Sequence, residues 1–249
     1  MSSQRPTTTI VFWKMAARQV RDQFWAFKQV PLATAALAKV PGLTFFKSMG
    51  AGGFGGFSSV PSFRDYCWVM VWQSERHARE FFASNPYWAE YTARAVGRRI
   101  LYCDVLASHG AWSGSDPFPA PVLEGPRHEG PIVVLTRARI ANRRLLHFWL
   151  RVGKSAQKLK DHPALDFAIG VGELPLIQQA TVSVWQSEAA MKAYAYGDEA
   201  HRKVIQLTRK FNWYSEELFA RFRLTEVQES GVLQGLATGF QAKSPQRSA

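Results

Sequence analysis

Only two cysteines, Cys67 and Cys103, occur among the 249 residues. That is too few for a disulfide framework or a cysteine-rich zinc site, and both sit in apolar, strand-like runs that read as buried, inert thiols. Acidic charge is also scarce: 19 Asp and Glu stand against 31 Lys and Arg, a formal charge of +12. No uncharged apolar run reaches the roughly 18–20 residues that span a bilayer, and Met1 to Thr9 lacks the apolar core of a secretory signal. A soluble, cytoplasmic protein is expected. The Gly-x-Ser-x-Gly elbow, the His-Glu-x-x-His pair and the Walker loop are all missing. What is present is apolar: 47% hydrophobic and 13% aromatic residues with 20% charged, enough buried surface to exclude global disorder.

A repeat organises the chain. Trp72-Gln73-Ser74-Glu75 recurs as Trp185-Gln186-Ser187-Glu188, an offset of 113 from 72 to 185, and Val69 and Val71 match Val182 and Val184 in the same register. Upstream the offset becomes 122, pairing Pro41, Leu43, Phe45 and Gly50 with Pro163, Leu165, Phe167 and Gly172, because the first copy carries a longer glycine-rich loop. Phe24-Trp25 likewise matches Phe148-Trp149. Their shared order points to duplication. Periodicity predicts strands near 8–14, 42–49, 65–73 and 100–107 with helices near 17–39 and 75–97. The second copy has strands near 131–139, 164–172, 176–185 and 217–225 with helices near 142–160 and 188–211. This βαββαβ order is ferredoxin-like, and such a sheet needs cover on its second face. The expected fold is therefore α+β: two ferredoxin-like halves, 1–108 and 131–228, packed sheet to sheet as an intramolecular α+β barrel of the dimeric type. A proline-bearing linker, 109–130, joins them, and a tail, 229–249, is expected to be mobile.

Gly50-Ala51-Gly52-Gly53-Phe54-Gly55 fits the dinucleotide pattern, but no helix follows it, so it reads as a hairpin loop at the barrel mouth. Basic residues concentrate on the first helix of each half: Arg137, Arg139, Arg143, Arg144, Arg151, Lys154, Lys158 and Lys160 occur between Thr136 and Lys160 without an acid. This charge suits a solvated face, an acidic protein partner or an anionic membrane surface; no nucleic-acid motif accompanies it. The six histidines show no metal-ligand spacing. His201 differs from the rest: Asp198 is placed to cap its helix, and Ile205 and Thr208 follow on the inward side while Arg202, Gln206 and Arg209 mark the wet side. The 113 offset sets His201 against Trp88, so the halves diverge where one would carry a ligand. Spacing alone leaves core packing and ligation both open.

Taken together, the repeat, Gly110-Ala111-Trp112-Ser113-Gly114, Leu135-Thr136-Arg137-Ala138 and Ile169-Gly170-Val171-Gly172-Glu173-Leu174-Pro175-Leu176 resemble the spheroidene monooxygenase family. The resemblance runs on through Gly197-Asp198, His201, Trp213, Ser215-Glu216-Glu217-Leu218 and Ala220-Arg221-Phe222. It implies a haem-dependent enzyme that uses O2 to convert the methylene beside an acyclic carotenoid's terminal methoxy or hydroxy group to a ketone, by two hydroxylations and loss of water from the diol. His201 occupies the family's Pro-His position and is the implied axial iron ligand, although Ala200 stands where proline is expected. With no Cys-x-x-Cys-His, haem b would be held non-covalently. Trp149 and Trp185 are candidate apolar walls. Arg137 could pair with a haem propionate, donate to iron-bound oxygen, or only cap the sheet edge; Lys47 has the same readings in the first half. The chain shows no flavin or nicotinamide site, so an external donor is implied. An acidic ferredoxin docked on the basic helices is expected, with peripheral contact at the inner membrane as the other use of that charge. Other functions open to this scaffold are aldoxime dehydration, oxidation of a nitrogen-bearing metabolite, and non-catalytic haem or lipid binding.

Overall fold

The structure, a computed structural model, describes residues 5–53, 60–118, 130–152, 162–174, 176–197 and 206–233. Strand β1 (Thr7–Met15) is buried at every position, because both of its faces are covered. Ile10 and Phe12 point into the barrel, while Val11, Trp13 and Met15 point into a layer of helices. The first half continues with α1 (Val20–Leu37), β2 (Leu43–Gly52), β3 (Pro61–Trp72), α2 (Glu75–Ser84), α3 (Pro86–Arg94) and β4 (Ala95–Gly110). The second contains β5 (Ile132–Ile140), a 3-10 turn at Asn142–Arg144, α4 (Leu145–Val152), β6 (Leu165–Leu174), β7 (Gln178–Trp185), α5 (Glu188–Gly197) and β8 (Tyr214–Gly231). Residues 206–211 are helical as well.

Each half is a four-stranded antiparallel sheet, ordered β4-β1-β3-β2 and β8-β5-β7-β6, and the two join edge to edge into a closed eight-stranded barrel. The expected intramolecular α+β barrel is the observed fold. Its two seams are unequal. β4 and β8 pair from Gly97↔Gly231 to Gly110↔Leu218, whereas β2 and β6 meet only at Gly50↔Gly172 and Ala51↔Val171. The interior is a single apolar cluster drawn from all eight strands, including Phe12, Met49, Cys67, Leu101, Leu135, Phe167, Val182 and Phe222. Both cysteines lie in it as free thiols, and burial pushes each thiol pKa well above its ordinary value.

Several boundaries differ from the sequence expectation, three of them with a clear physical cause. The single helix expected over 75–97 is two helices, because Pro86 lacks an N–H and forces Asn85 out of the helical region. The Asn85 side chain then accepts from the N–H groups of Tyr87 and Trp88, at 2.9 and 3.2 Å, and caps α3. β4 runs through His109 and Gly110, where the linker was expected to begin, and β8 runs through Gly231, past 228. Their mutual pairing accounts for both extensions, since each strand satisfies backbone groups that the other would leave open at an edge. The remaining linker residues 119–129, the tail from 234, and the later parts of the helices expected at 142–160 and 188–211 (153–160 and 198–205) lie outside the described residues.

Candidate functional site

Strand register sets the two halves against each other residue by residue. β1 and β3 pair as Thr7↔Trp72 and Trp13↔Tyr66, and β5 and β7 pair as Ile132↔Trp185 and Ala138↔Gln179. Ala138 therefore takes the place of Trp13. By the same register Thr136 replaces Val11, Thr181 replaces Trp68, Ser183 replaces Met70, Gln179 replaces Tyr66 and Ala168 replaces Phe46. All of these positions alternate outward, toward the helices.

In the first half that outer face is solid. Trp13 and Trp68 are fully buried with ring centroids 5.3 Å apart, Trp88 of α3 lies 4.6 Å from Trp13, and Tyr91 lies 4.5 Å from Trp68. In the second half the same space loses two indoles, a phenol, a phenyl and a thioether side chain. Its floor is Ala138, Ala168, Gly170 and Thr181, and Thr136 is solvent-exposed although its strand is flanked by β7 and β8. Among the described residues, the space over this floor, here termed the slot, has an apolar wall at each end. At one end Trp185, His162 and Tyr194 pack together with ring centroids 5.2–5.3 Å apart; at the other Ile140, Phe148 and Trp213 form a separate cluster. The Trp213 indole donates to His147 Nδ1 at 2.7 Å, so His147 is fixed in that wall.

Of the residues singled out from the sequence, Trp185 bounds this slot, its indole donating to Ser183 Oγ at 2.9 Å. Trp149 of α4 donates to the Leu176 carbonyl at 3.1 Å and lines a neighbouring cavity. His201, with Asp198 to Ala200, lies outside the described residues. Trp88, set against it by the 113 offset in the sequence, rests on Trp13 and Trp68, whose register counterparts are Ala138 and Thr181 of the slot floor.

Arg137 and Lys47 occupy the other face of the sheet, inside one end of the barrel. The Arg137 side chain, 2% exposed, is ion-paired to Glu216, with Nη2 also 3.7 Å from Glu173. Lys47 Nζ lies 2.8 Å from Glu173 and donates to Ser113 Oγ at 2.8 Å. The Trp112 indole donates to Glu173 at 2.6 Å, and the N–H groups of Ser113 and Gly114 donate to Glu216 at 3.2 and 2.8 Å. Ser113 and Gly114 both adopt positive φ, 61° and 90°, which aims consecutive N–H groups at one carboxylate. Burial opposes ionisation of Glu216, but these N–H groups and Arg137 prevail and hold its pKa below the ordinary carboxylate value. Of the readings open to Arg137 and Lys47, this arrangement favours closure of the barrel end. Glu173, Glu216 and Trp112 were not singled out from the sequence as site residues; their partners lie tens of residues away.

Next to the slot, at the narrow β2–β6 seam, lies a cavity of about 690 Å³ between α1 and α4. Pro31, Gly50, Ala51, Trp149, Leu174 and Gln179 line it. Among the described residues no three His, Cys, Asp or Glu side chains converge as a metal site.

No protein-family model matches the chain. It is 36% identical over 206 residues to a spheroidene monooxygenase of Rhodobacter capsulatus, a match that covers 83% of this chain and 86% of that protein. It is 30% identical over 208 residues to a spheroidene monooxygenase of Cereibacter sphaeroides, covering 83% of this chain and 63% of that protein. Among solved structures it is similar in fold to an aldoxime dehydratase in complex with butyraldoxime, with a TM-score of 0.63 at 11% identity over 95% of this chain and 85% of that one.

Proposed function

The chain belongs to the spheroidene monooxygenase family, and from that premise we propose that this oxygenase acts on an acyclic carotenoid with a haem b held non-covalently in the slot of the second half. The observation that carries the reading is the register-matched loss of Trp13, Trp68, Phe46 and Met70 at Ala138, Thr181, Ala168 and Ser183. A flat, apolar macrocycle needs such a gap between sheet and helices, and the small floor, the Trp185 wall and the Trp213 wall suit it. Haem, when bound, supplies the activation of O2.

The chain's own residues have the remaining tasks. His201 is the proposed axial ligand; its counterpart Trp88 already stands over the equivalent floor in the first half. The imidazole's second nitrogen and the polarity around it would tune the metal. Ala138, Ala168 and Thr181 keep the floor thin and dry, and Trp185 closes one end against water. Arg137 and Lys47, engaged with Glu173 and Glu216, hold the barrel end in register and act at a distance from the slot.

Each oxygenation consumes two electrons, and an acidic donor of the ferredoxin class is the proposed source. Arg143 and Arg144 are exposed at the start of the second half's first helix and offer it a positive face. No helix among the described residues is long and apolar enough to cross a membrane. Phe27, Leu32, Leu174 and Leu176 nevertheless expose apolar surface around the seam cavity, which supports peripheral contact with the anionic bilayer where a carotenoid resides.

The test is the visible spectrum of protein purified with haem supplied, beside His201→Ala. A Soret band in the wild type that shifts or disappears in the variant supports the reading. A wild type that takes up no haem, or a variant with an unchanged band, overturns it, and a lipid- or metabolite-binding barrel then becomes the better account.

A further inference from the structure

The barrel closes unevenly, and a cavity lies on its weak side. β2 and β6 share two residue pairs and then part, and the cavity of about 690 Å³ fills the gap between them. Its size falls within the roughly 300–1,000 Å³ of small-molecule sites. Lys28 and the Lys47–Glu173 ion pair share its lining with mostly apolar surface, and three features shape it as a passage. Pro31 sits inside α1 directly over it and withholds the N–H that would have bonded the Phe27 carbonyl. Gly50 on its wall lacks a side chain where there is room for one: a Cβ added there meets nothing within 4 Å. At the outer rim, Leu174 and Leu176 are 48% and 41% exposed, so apolar surface continues to the mouth.

The inner end of the cavity lies beside the floor of the second half. Gln179 lines the cavity and is the direct cross-strand partner of Ala138 in the slot floor. Trp149 lines it as well and packs against Phe148 of the Trp213 wall, with ring centroids 5.2 Å apart. The cavity lined by Leu174, Gly50 and Trp149 thus lies one strand away from Ala138.

We propose that this seam cavity is the port that binds the shaft of a long acyclic polyene and delivers one end of it to the slot. The inference rests on the reading of the slot as the reaction site, and it adds where the substrate lies and which half of the molecule receives it. Because the polyene is bound chiefly by the first half's α1 and β2, with Leu174, Leu176 and Trp149 from the second, substrate binding and haem binding are separable by mutation.

Gly50→Phe fills the port from a position with free space. Spheroidene is delivered from detergent micelles to wild type and variant, and the amount retained after gel filtration is quantified by its polyene absorption; haem uptake is titrated in parallel at the Soret band. Retention is expected to fall by about tenfold or more in Gly50→Phe, with haem uptake and the thermal melt unchanged. Leu174→Lys places a charge at the exposed rim, where folding is insensitive, and is expected to lower retention several-fold should Gly50→Phe fail to fold. Retention equal to wild type in a folded Gly50→Phe, or in Leu174→Lys when the first variant does not fold, overturns the port. The slot reading fails separately: a wild type that retains spheroidene through Gly50 but takes up no haem leaves the port standing and removes the haem.

Discussion

The two halves share one topology and one strand register, yet their outer faces have opposite contents. In the first, α3 presses Trp88 and Tyr91 onto Trp13 and Trp68, and all four rings are buried. In the second, the matched sheet positions are Ala138 and Thr181, and Thr136 beside them is exposed. The difference teaches that duplication allowed a division of labour. One sheet-and-helix sandwich, filled with aromatic side chains that bury 150–250 Å² each, anchors the barrel; the other gave up that packing for a slot. A symmetric protein with two slots would have lost the stabilising contacts twice.

Exchanging the fillings breaks the comparison, and the largest effect is expected where packing is removed. Trp68→Thr, which copies Thr181, should destabilise the fold by about 3–5 kcal/mol through lost burial and the cavity left behind. Denaturant unfolding measures it; a cost near that of a surface substitution would mean that the first half is not the anchor. The reverse change, Thr181→Trp, should leave the melt at or above wild type while lowering haem affinity by about 100-fold or more, roughly 2.7 kcal/mol. Soret titration reads the loss. Undiminished haem affinity in a folded Thr181→Trp would place haem elsewhere.

Much of this architecture was legible in the sequence. The Trp-Gln-Ser-Glu tetrads mark equivalent strand ends, and α2 and α5 begin at Glu75 and Glu188, 113 positions apart as the tetrads require. The 113 offset also set His201 against Trp88, a pairing that falls outside the described residues. The slot was not legible, because Ala138, Ala168 and Thr181 are ordinary strand residues until register shows what they replace. Nor was the pairing of Arg137 with Glu216 and Glu173, since sequence does not tell which charge crosses the barrel end to meet which. The break before α3 was written in Asn85-Pro86, but the apolar spacing of 75–97 runs through that dipeptide and concealed it.

The ion-paired barrel end offers a subtler contrast, because Arg137 stands where the first half has the apolar Phe12. Removing its partner leaves a buried guanidinium short of a carboxylate, so Glu216→Gln should cost about 2–3 kcal/mol at neutral pH. The pH dependence carries a sign. Glu216 has a lowered pKa in the folded protein, so its contribution is complete above the unfolded value of about 4.3 and is lost as pH falls through the folded value. The gap between wild type and Glu216→Gln should therefore close on acidification. Denaturant midpoints at pH 7 and below about pH 4 test this, and a gap independent of pH would show that the carboxylate charge is not what stabilises the barrel end.

The smallest expected effect concerns which half meets the electron donor, since both first helices are basic. Arg21 and Lys28 are exposed on α1, and Arg143 and Arg144 on the 3-10 turn that leads into α4. On the proposed reading electrons are delivered to the slot of the second half, so docking there gives the shorter route. Converting Arg143, Arg144 and Arg151 to Gln should slow donor-supported turnover several-fold at low salt. The deficit should fade at high salt, because the screening length shrinks from about 30 Å at 0.01 M to about 3 Å at 1 M. Converting Arg21 and Lys28 should do less at either salt. Equal losses from the two sets would mean that charge only raises the encounter rate over the whole surface. Unchanged turnover in the Arg143, Arg144 and Arg151 variant at both salts would remove the electrostatic docking face and leave the division between the halves one of packing alone.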